Sequence, residues 1–241
     1  MLRLILVILL IFIFAIPLGL PALLICWLVG FISPALQAAW SQSYLRILMG
    51  GAILLSGAKV TVKGLDNIPG TEPCLFIGNH RSFFDIFLQY QYIRRTCGTV
   101  AKLEWKKVPL LRTWMKFIHC TFLDRKSLRS GVEVTKQMEK ELLSGNAYMV
   151  YPEGTRCHIN GLGPFREGSL KSAFTTGVPI IPVIYVHTDD LFENHLPFLR
   201  PAEVTVVFGE PIPTAGLDRA GQKALAARLH EQMNETYHRC A

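Results

Sequence analysis

Between Arg3 and Arg46 the chain has no Asp, Glu, Lys or Arg, and residues 2–32 are almost entirely aliphatic or aromatic. Such a run belongs in lipid. Pro17 and Pro21 each remove a helical hydrogen bond and divide it into residues 2–16 and 22–32. At about 1.5 Å per residue these halves reach roughly 22 Å and 16 Å, short of a hydrocarbon core of about 30 Å. The lengths predict a hairpin of two half-depth helices in one leaflet, with one kinked span as the alternative. The run is too long for a secretory leader, and no Ala-x-Ala site follows it. Arg3 before it, with Arg46 and Lys59 after it, places both ends on the cytoplasmic side of the inner (plasma) membrane.

Residues 1–34 therefore read as a membrane segment, 35–58 as an interfacial connector carrying Trp40, Tyr44 and Arg46, and 59–241 as the remaining domain. In that domain short apolar runs alternate with helical patterns. Strands are predicted at 60–62, 74–77, 99–101, 121–123, 147–151, 180–186 and 204–208. Leu128, Val132, Thr135, Met138 and Leu142 recur at helical spacing opposite Glu133, Lys136 and Lys140, up to a stop at Ser144-Gly145. Leu225, Leu229, Met233 and Tyr237 form a second stripe, and both are assigned to core packing. The alternation predicts an α/β fold: a single mixed β-sheet domain covered by helices, preceded by the membrane-embedded helical hairpin.

Composition agrees: 50% of the 241 residues are hydrophobic, more than a purely soluble protein needs. The net charge of +7 suits contact with anionic lipid or handling of anionic substrates. Nucleic acid is set aside as a partner, because no basic run or nucleic-acid module is present. Six cysteines are scattered with no C-x-x-C pair, which implies free thiols in a reducing compartment. The histidines and cysteines show no metal-ligand spacing.

Two segments carry chemistry. In Asn79-His80-Arg81-Ser82-Phe83-Phe84-Asp85 a potential general base is followed by a carboxylate, directly after an apolar run. Five residues apart on one helix the two would diverge by about 140°, so His80 must occupy a strand-to-helix turn for Asp85 to reach back to its imidazole. Ser82-x-x-Asp85 also has the form of a capping box, which would give Asp85 an ordinary structural task. His119 and Asp124 repeat the spacing across a predicted strand, where an odd separation sends side chains to opposite faces.

The second segment is Tyr151-Pro152-Glu153-Gly154-Thr155-Arg156, after another strand and before the glycine-rich residues 161–168. It can offer Glu153 to a hydroxyl and Arg156 to a phosphate, or it can be a surface turn with a solvated ion pair. Lys102 and Arg125 also follow predicted strands, and strand ends in open α/β sheets converge on one crevice. The lack of a Gly-x-Ser-x-Gly elbow argues against a serine hydrolase.

These blocks, over residues 59–208, resemble the 1-acyl-sn-glycerol-3-phosphate acyltransferase family of the wider glycerolipid acyltransferase superfamily. Asn79-His80-x4-Asp85 resembles its first block, and Phe122-Leu123-Asp124-Arg125 its second. Tyr151 to Arg156 resembles the third, and Val178-Pro179-Ile180-Ile181-Pro182-Val183 the fourth. The resemblance implies His80 as base, Asp85 as its partner, and Lys102, Arg125, Glu153, Gly154, Thr155 and Arg156 as the acceptor-binding set. It implies transfer of an acyl group from acyl-CoA or acyl-ACP, as co-substrate, to the sn-2 hydroxyl of lysophosphatidic acid at a membrane, with no cofactor. A relative acting on lyso-ornithine lipid or a lysophospholipid, and a non-catalytic anionic-lipid-binding module, are the alternative readings. His119 departs from the pattern, since many relatives place Gly there.

Overall fold

The structure, a computed structural model, describes residues 1–166 and 168–241. Three helices come first: α1 (Leu2–Ala15), α2 (Gly19–Ile32) and α3 (Pro34–Ser56). The halves of the apolar run do not fold back on each other as the hairpin expectation required; α1 and α2 meet at a bend of only 42°. Pro17 alone falls in the break. Pro21 sits in the first turn of α2, where a missing N–H costs nothing. Bonds from Leu18 N to Ile13 O and from Leu20 N to Ile16 O carry the helical path across. The chain instead reverses at Ser33-Pro34, where the Ser33 hydroxyl accepts from Leu36 N and Pro34 opens α3. The connector expected at 35–58 is thus one continuous helix, antiparallel to the bent rod. Arg3 reaches Leu55 O at one end, and Gln37 reaches Cys26 O near the other.

The remaining elements are β1 (Lys59–Lys63), β2 (Leu75–Gly78), α4 (Phe83–Tyr92), β3 (Cys97–Lys102), α5 (Pro109–Phe117) and β4 (Thr121–Leu123). After them come α6 (Leu128–Leu143), β5 (Ala147–Val150), α7 (Lys171–Thr176), β6 (Ile180–Val186), β7 (Glu203–Phe208) and α8 (Arg219–Cys240). All seven predicted strands form. They make one sheet in the order β1-β7-β6-β2-β5-β3-β4. Pairing is parallel throughout except between β6 and β7, so the sheet is mixed, as expected. Phe76 ↔ Met149 and Ile77 ↔ Pro182 fix the register of β2 against its two neighbours.

Because strand side chains alternate, Phe76 and Met149 face one way while Leu75, Ile77 and Tyr148 face the other. The first face packs against α1, α3 and α4 through Val7, Ala52, Ile53, Phe84 and Leu88. The second is covered by α6, α7 and α8 through Met138, Leu142, Ala173, Leu229 and Met233. Each of the larger side chains, Val, Leu, Ile, Phe or Met, stabilises the fold by about 1.5–3 kcal/mol when fully buried. The stripe expected on α6 is corrected in its first half: Leu128 and Val132 are exposed and Thr135 is only half-buried, while Val134, which was not expected there, joins Met138 and Leu142 in the core.

Candidate active site

The sheet order places β4, β3, β5, β2 and β6 side by side and parallel, so their C-terminal ends share one edge. From β2, Asn79 continues the ladder with its side-chain amide: Nδ2 donates to Tyr185 O (2.9 Å) and Oδ1 accepts from Tyr185 N (2.8 Å). This leaves His80 as the first residue of the turn into α4. Its Nδ1 lies 2.8 Å from Asp85 Oδ2, its carbonyl accepts from Cys157 N, and its ring rests 4.4 Å from that of Tyr151. Its side chain is 16% exposed.

Asp85 is fully buried and accepts four hydrogen bonds. Oδ2 takes Arg81 N (2.6 Å), Ser82 N (2.8 Å) and His80 Nδ1; Oδ1 takes the Thr188 hydroxyl (2.6 Å). Ser82 is the N-cap of α4 and completes a capping box with Asp85. The capping and imidazole-orienting readings of Asp85 are therefore both true. One carboxylate caps the start of the helix and holds the ring with Nδ1 toward Asp85, an arrangement that can leave Nε2 to accept a proton. His119 and Asp124 do not meet. His119 Nδ1 pairs with Glu141 (3.0 Å), and Asp124 Oδ1 accepts from Lys126 N (3.0 Å). The backbone of His119 has φ +63°, a left-handed conformation that favours glycine, the residue that the family resemblance leads one to expect here.

Glu153 departs from its expected orientation toward a substrate hydroxyl. Its carboxylate turns inward and is 7% exposed, with Oε2 accepting from His80 N (2.7 Å) and Oε1 from Gly163 N (2.8 Å). Burial pushes its pKa up against the opposing pull of those two backbone donors. It ties the His80 turn to residues 161–168, of which Glu167 lies outside the described residues. Gly154 has φ +72°, a left-handed conformation that the turn requires of it, and a Cβ there would also crowd the Arg166 side chain. Thr155 is exposed. Arg156 stacks over the Phe83 ring at 4.0 Å and donates from Nη1 to Glu193 (2.8 Å).

Lys102 and Arg125 reach the same edge from β3 and β4. Lys102 is paired with Glu104 (2.9 Å), and Arg125 is exposed. Burial of its inner part and the nearby Arg166 guanidinium hold the Arg125 pKa below its usual value, against the pull of Glu104. Arg125 and Arg166 thus bring positive charge together at this edge, and Arg166 Nε donates to Glu153 O (3.4 Å). The amides at the start of α4 are already committed and so are not open to a tetrahedral oxyanion. His80 N is held by Glu153, Arg81 N and Ser82 N by Asp85, Phe83 N by Glu193 and Phe84 N by the Ser82 hydroxyl.

Several supporting residues escaped the sequence reading. Arg81 is buried and bidentate to Asp189 (2.9 and 2.8 Å), donates to Ile159 O and Gly161 O, and lies 5.1 Å from the Tyr237 ring centroid. Burial opposes ionisation of Asp189, but the hydrogen bonds and charge of Arg81 outweigh it and hold the carboxyl below its ordinary value. Thr188, Asp189 and Glu193 all follow β6, the neighbour of β2, in the 3-10 turns Thr188–Leu191 and Glu193–His195. The one signal in the sequence was the polar run His187-Thr188-Asp189-Asp190 directly after β6.

A family model described as Acyltransferase matches residues 59–186. Mouse 1-acyl-sn-glycerol-3-phosphate acyltransferase alpha is 30% identical over 197 residues, covering 80% of this chain and 68% of that protein. A probable 1-acyl-sn-glycerol-3-phosphate acyltransferase of Mycoplasma pneumoniae is 28% identical over 196 residues, covering 77% and 73%. The crystal structure of the 1-acyl-sn-glycerophosphate acyltransferase PlsC from Thermotoga maritima superposes with a TM-score of 0.81 over 97% of this chain and 94% of that one, at 22% identity. That likeness extends through the N-terminal helices as well as the sheet.

Proposed function

On the premise that this chain belongs to the acyltransferase family, we propose that it moves a fatty acyl group from a thioester donor to the sn-2 hydroxyl of 1-acyl-sn-glycerol-3-phosphate, forming phosphatidic acid. The observation that carries the reading is the 2.8 Å contact of His80 Nδ1 with the buried Asp85 carboxylate. It supports a ring whose Nε2 accepts the hydroxyl proton while the alcohol oxygen attacks the thioester carbonyl. As the tetrahedral intermediate collapses, the C–S bond breaks and the same nitrogen returns the proton to the leaving thiolate. Arg156, with Arg125 and Lys102 on the adjoining strand ends, holds the acceptor phosphate. Glu153 serves from behind, fixing the backbone of His80. Coenzyme A and acyl carrier protein are the two donor classes.

We also assign α1 and α2 to the membrane. Together they have the length and composition of a span, although no single helix among the described residues does. Their outer face carries exposed Ile8, Phe12, Leu24 and Trp27, and Phe31 and Ile32 at the reversal are 72% and 83% exposed. Arg3 and Lys59 lie together at the opposite end, which fits both termini of the helical pair on the cytoplasmic side. Exposed Trp105 and Val108 flank Lys106 and Lys107, just before α5, whose Trp114 stacks on Tyr44 of α3 at 4.7 Å. Aromatic and cationic side chains of this kind suit an anionic lipid surface.

Membranes containing the protein, given labelled lysophosphatidic acid with acyl-CoA and with acyl-ACP in turn, should yield phosphatidic acid with at least one donor. Acylation of lyso-ornithine lipid or a lysophospholipid instead would replace the acceptor, and lipid binding with no product would replace catalysis by a binding role.

A further inference from the structure

Glu193 lies beyond Val186, where the family match ends, yet three bonds from the site converge on its carboxylate. Oε1 accepts from Arg156 Nη1 (2.8 Å) and Phe83 N (2.9 Å), and Oε2 accepts from the Ser82 hydroxyl (2.6 Å). The side chain is 5% exposed. Arg156 is thereby held between a buried carboxylate below and the Phe83 ring, 4.0 Å away, while about a third of its side chain stays open to a ligand. Ser82 and Phe83, the other two residues in this grip, begin α4 and sit beside His80 and Asp85.

We propose that Glu193 is the positioning residue for Arg156, presetting the guanidinium that receives the acceptor phosphate and locking it to the start of the helix that holds the catalytic pair. This rests on Arg156 binding that phosphate. A free arginine must surrender its rotamer freedom when a ligand arrives, and one already clamped has done so during folding. The clamp engages Nη1, so the rest of the fork remains for bidentate contact with phosphate oxygens. Glu193→Gln keeps the shape and an acceptor for Phe83 N, but replaces the ion pair with Arg156 by a weaker hydrogen bond to a neutral amide.

The test is a double-mutant cycle on the full chain in membranes, using lysophosphatidic acid as acceptor. Glu193→Gln should raise the acceptor KM about tenfold, the size expected when one long side chain must be ordered at binding, with a smaller change in kcat. In an Arg156→Ala background the same substitution should add no further rise in KM. Phe83→Leu, which removes the stacking partner from a partly exposed position, should move KM in the same direction. A KM within twofold of the parent for Glu193→Gln, or an equal rise in both backgrounds, overturns the positioning role. If Arg156→Ala itself leaves KM unchanged, the phosphate assignment falls and takes this inference with it, whereas failure of Glu193→Gln alone leaves that assignment standing.

Discussion

His80 with Asp85 and His119 with Asp124 share one spacing, and only the first pair makes contact. The difference lies in what separates the two residues. Between His80 and Asp85 the chain leaves β2, turns, and enters α4, which brings the carboxylate back under the ring. Between His119 and Asp124 it runs through β4, and five extended residues carry the ends roughly 16 Å apart. His119 then finds Glu141 on α6, and Asp124 caps its own turn. The surroundings diverge as well. Every acceptor of Asp85 is used and Thr188, Asp189 and Glu193 brace the turn around it, while His119 is a half-buried residue closing a helix-to-strand connection. A base and its carboxylate need a junction that folds back and a shell that holds it there.

Asparagine exchanges break the comparison most sharply. Asp85→Asn should lower kcat by about 10²-fold or more, because the amide no longer fixes the imidazole in the accepting tautomer. Asp124→Asn should leave kcat within about twofold, and steady-state turnover in membranes reads both. Next in size is the support under the first pair. Asp189→Asn strands the buried Arg81 charge and should cost about 3–5 kcal/mol at neutral pH. The folded-state pKa of Asp189 is depressed, so its stabilisation is present above the ordinary carboxylate value and is lost as pH falls through the lower folded value. Thermal unfolding in detergent should therefore show parent and variant converging in acid; a constant gap at all pH values would show that the ion pair is not the source.

Thr188→Val tests a single strut, since it removes one of the four bonds to Asp85 and keeps the volume. A loss of one bond of this kind is expected to slow turnover by roughly three- to tenfold. An unaltered rate would mean that Asp85 is over-determined by its remaining three donors. His119→Gly should have the smallest effect. Relief of the positive φ and loss of the Glu141 pair oppose each other, leaving a stability change below about 1 kcal/mol and turnover unchanged.

Much of this arrangement was legible in the residues. Seven apolar runs became seven strands, and His80, Lys102, Arg125 and Arg156 follow strands whose parallel order brings them to one edge. Where the reading failed, the missing fact was spatial. Nothing in the chain order announces that β6 lies beside β2, so Thr188, Asp189 and Glu193 had no visible reason to be at the site. Glu153 looked available because its inward partners are backbone amides of His80 and Gly163, which carry no sequence signature. Pro21 looked like a second break because its place in the first turn of α2 depends on where that helix starts.

The most direct measurement places the two histidines side by side: acyl transfer to labelled lysophosphatidic acid by membranes carrying the parent chain, His80→Ala or His119→Ala at matched protein levels. His80→Ala should lose about 10²–10⁴-fold in rate, and His119→Ala should stay within about twofold of the parent. Near-normal turnover by His80→Ala, or equal losses in the two variants, would contradict the role of His80 as the base.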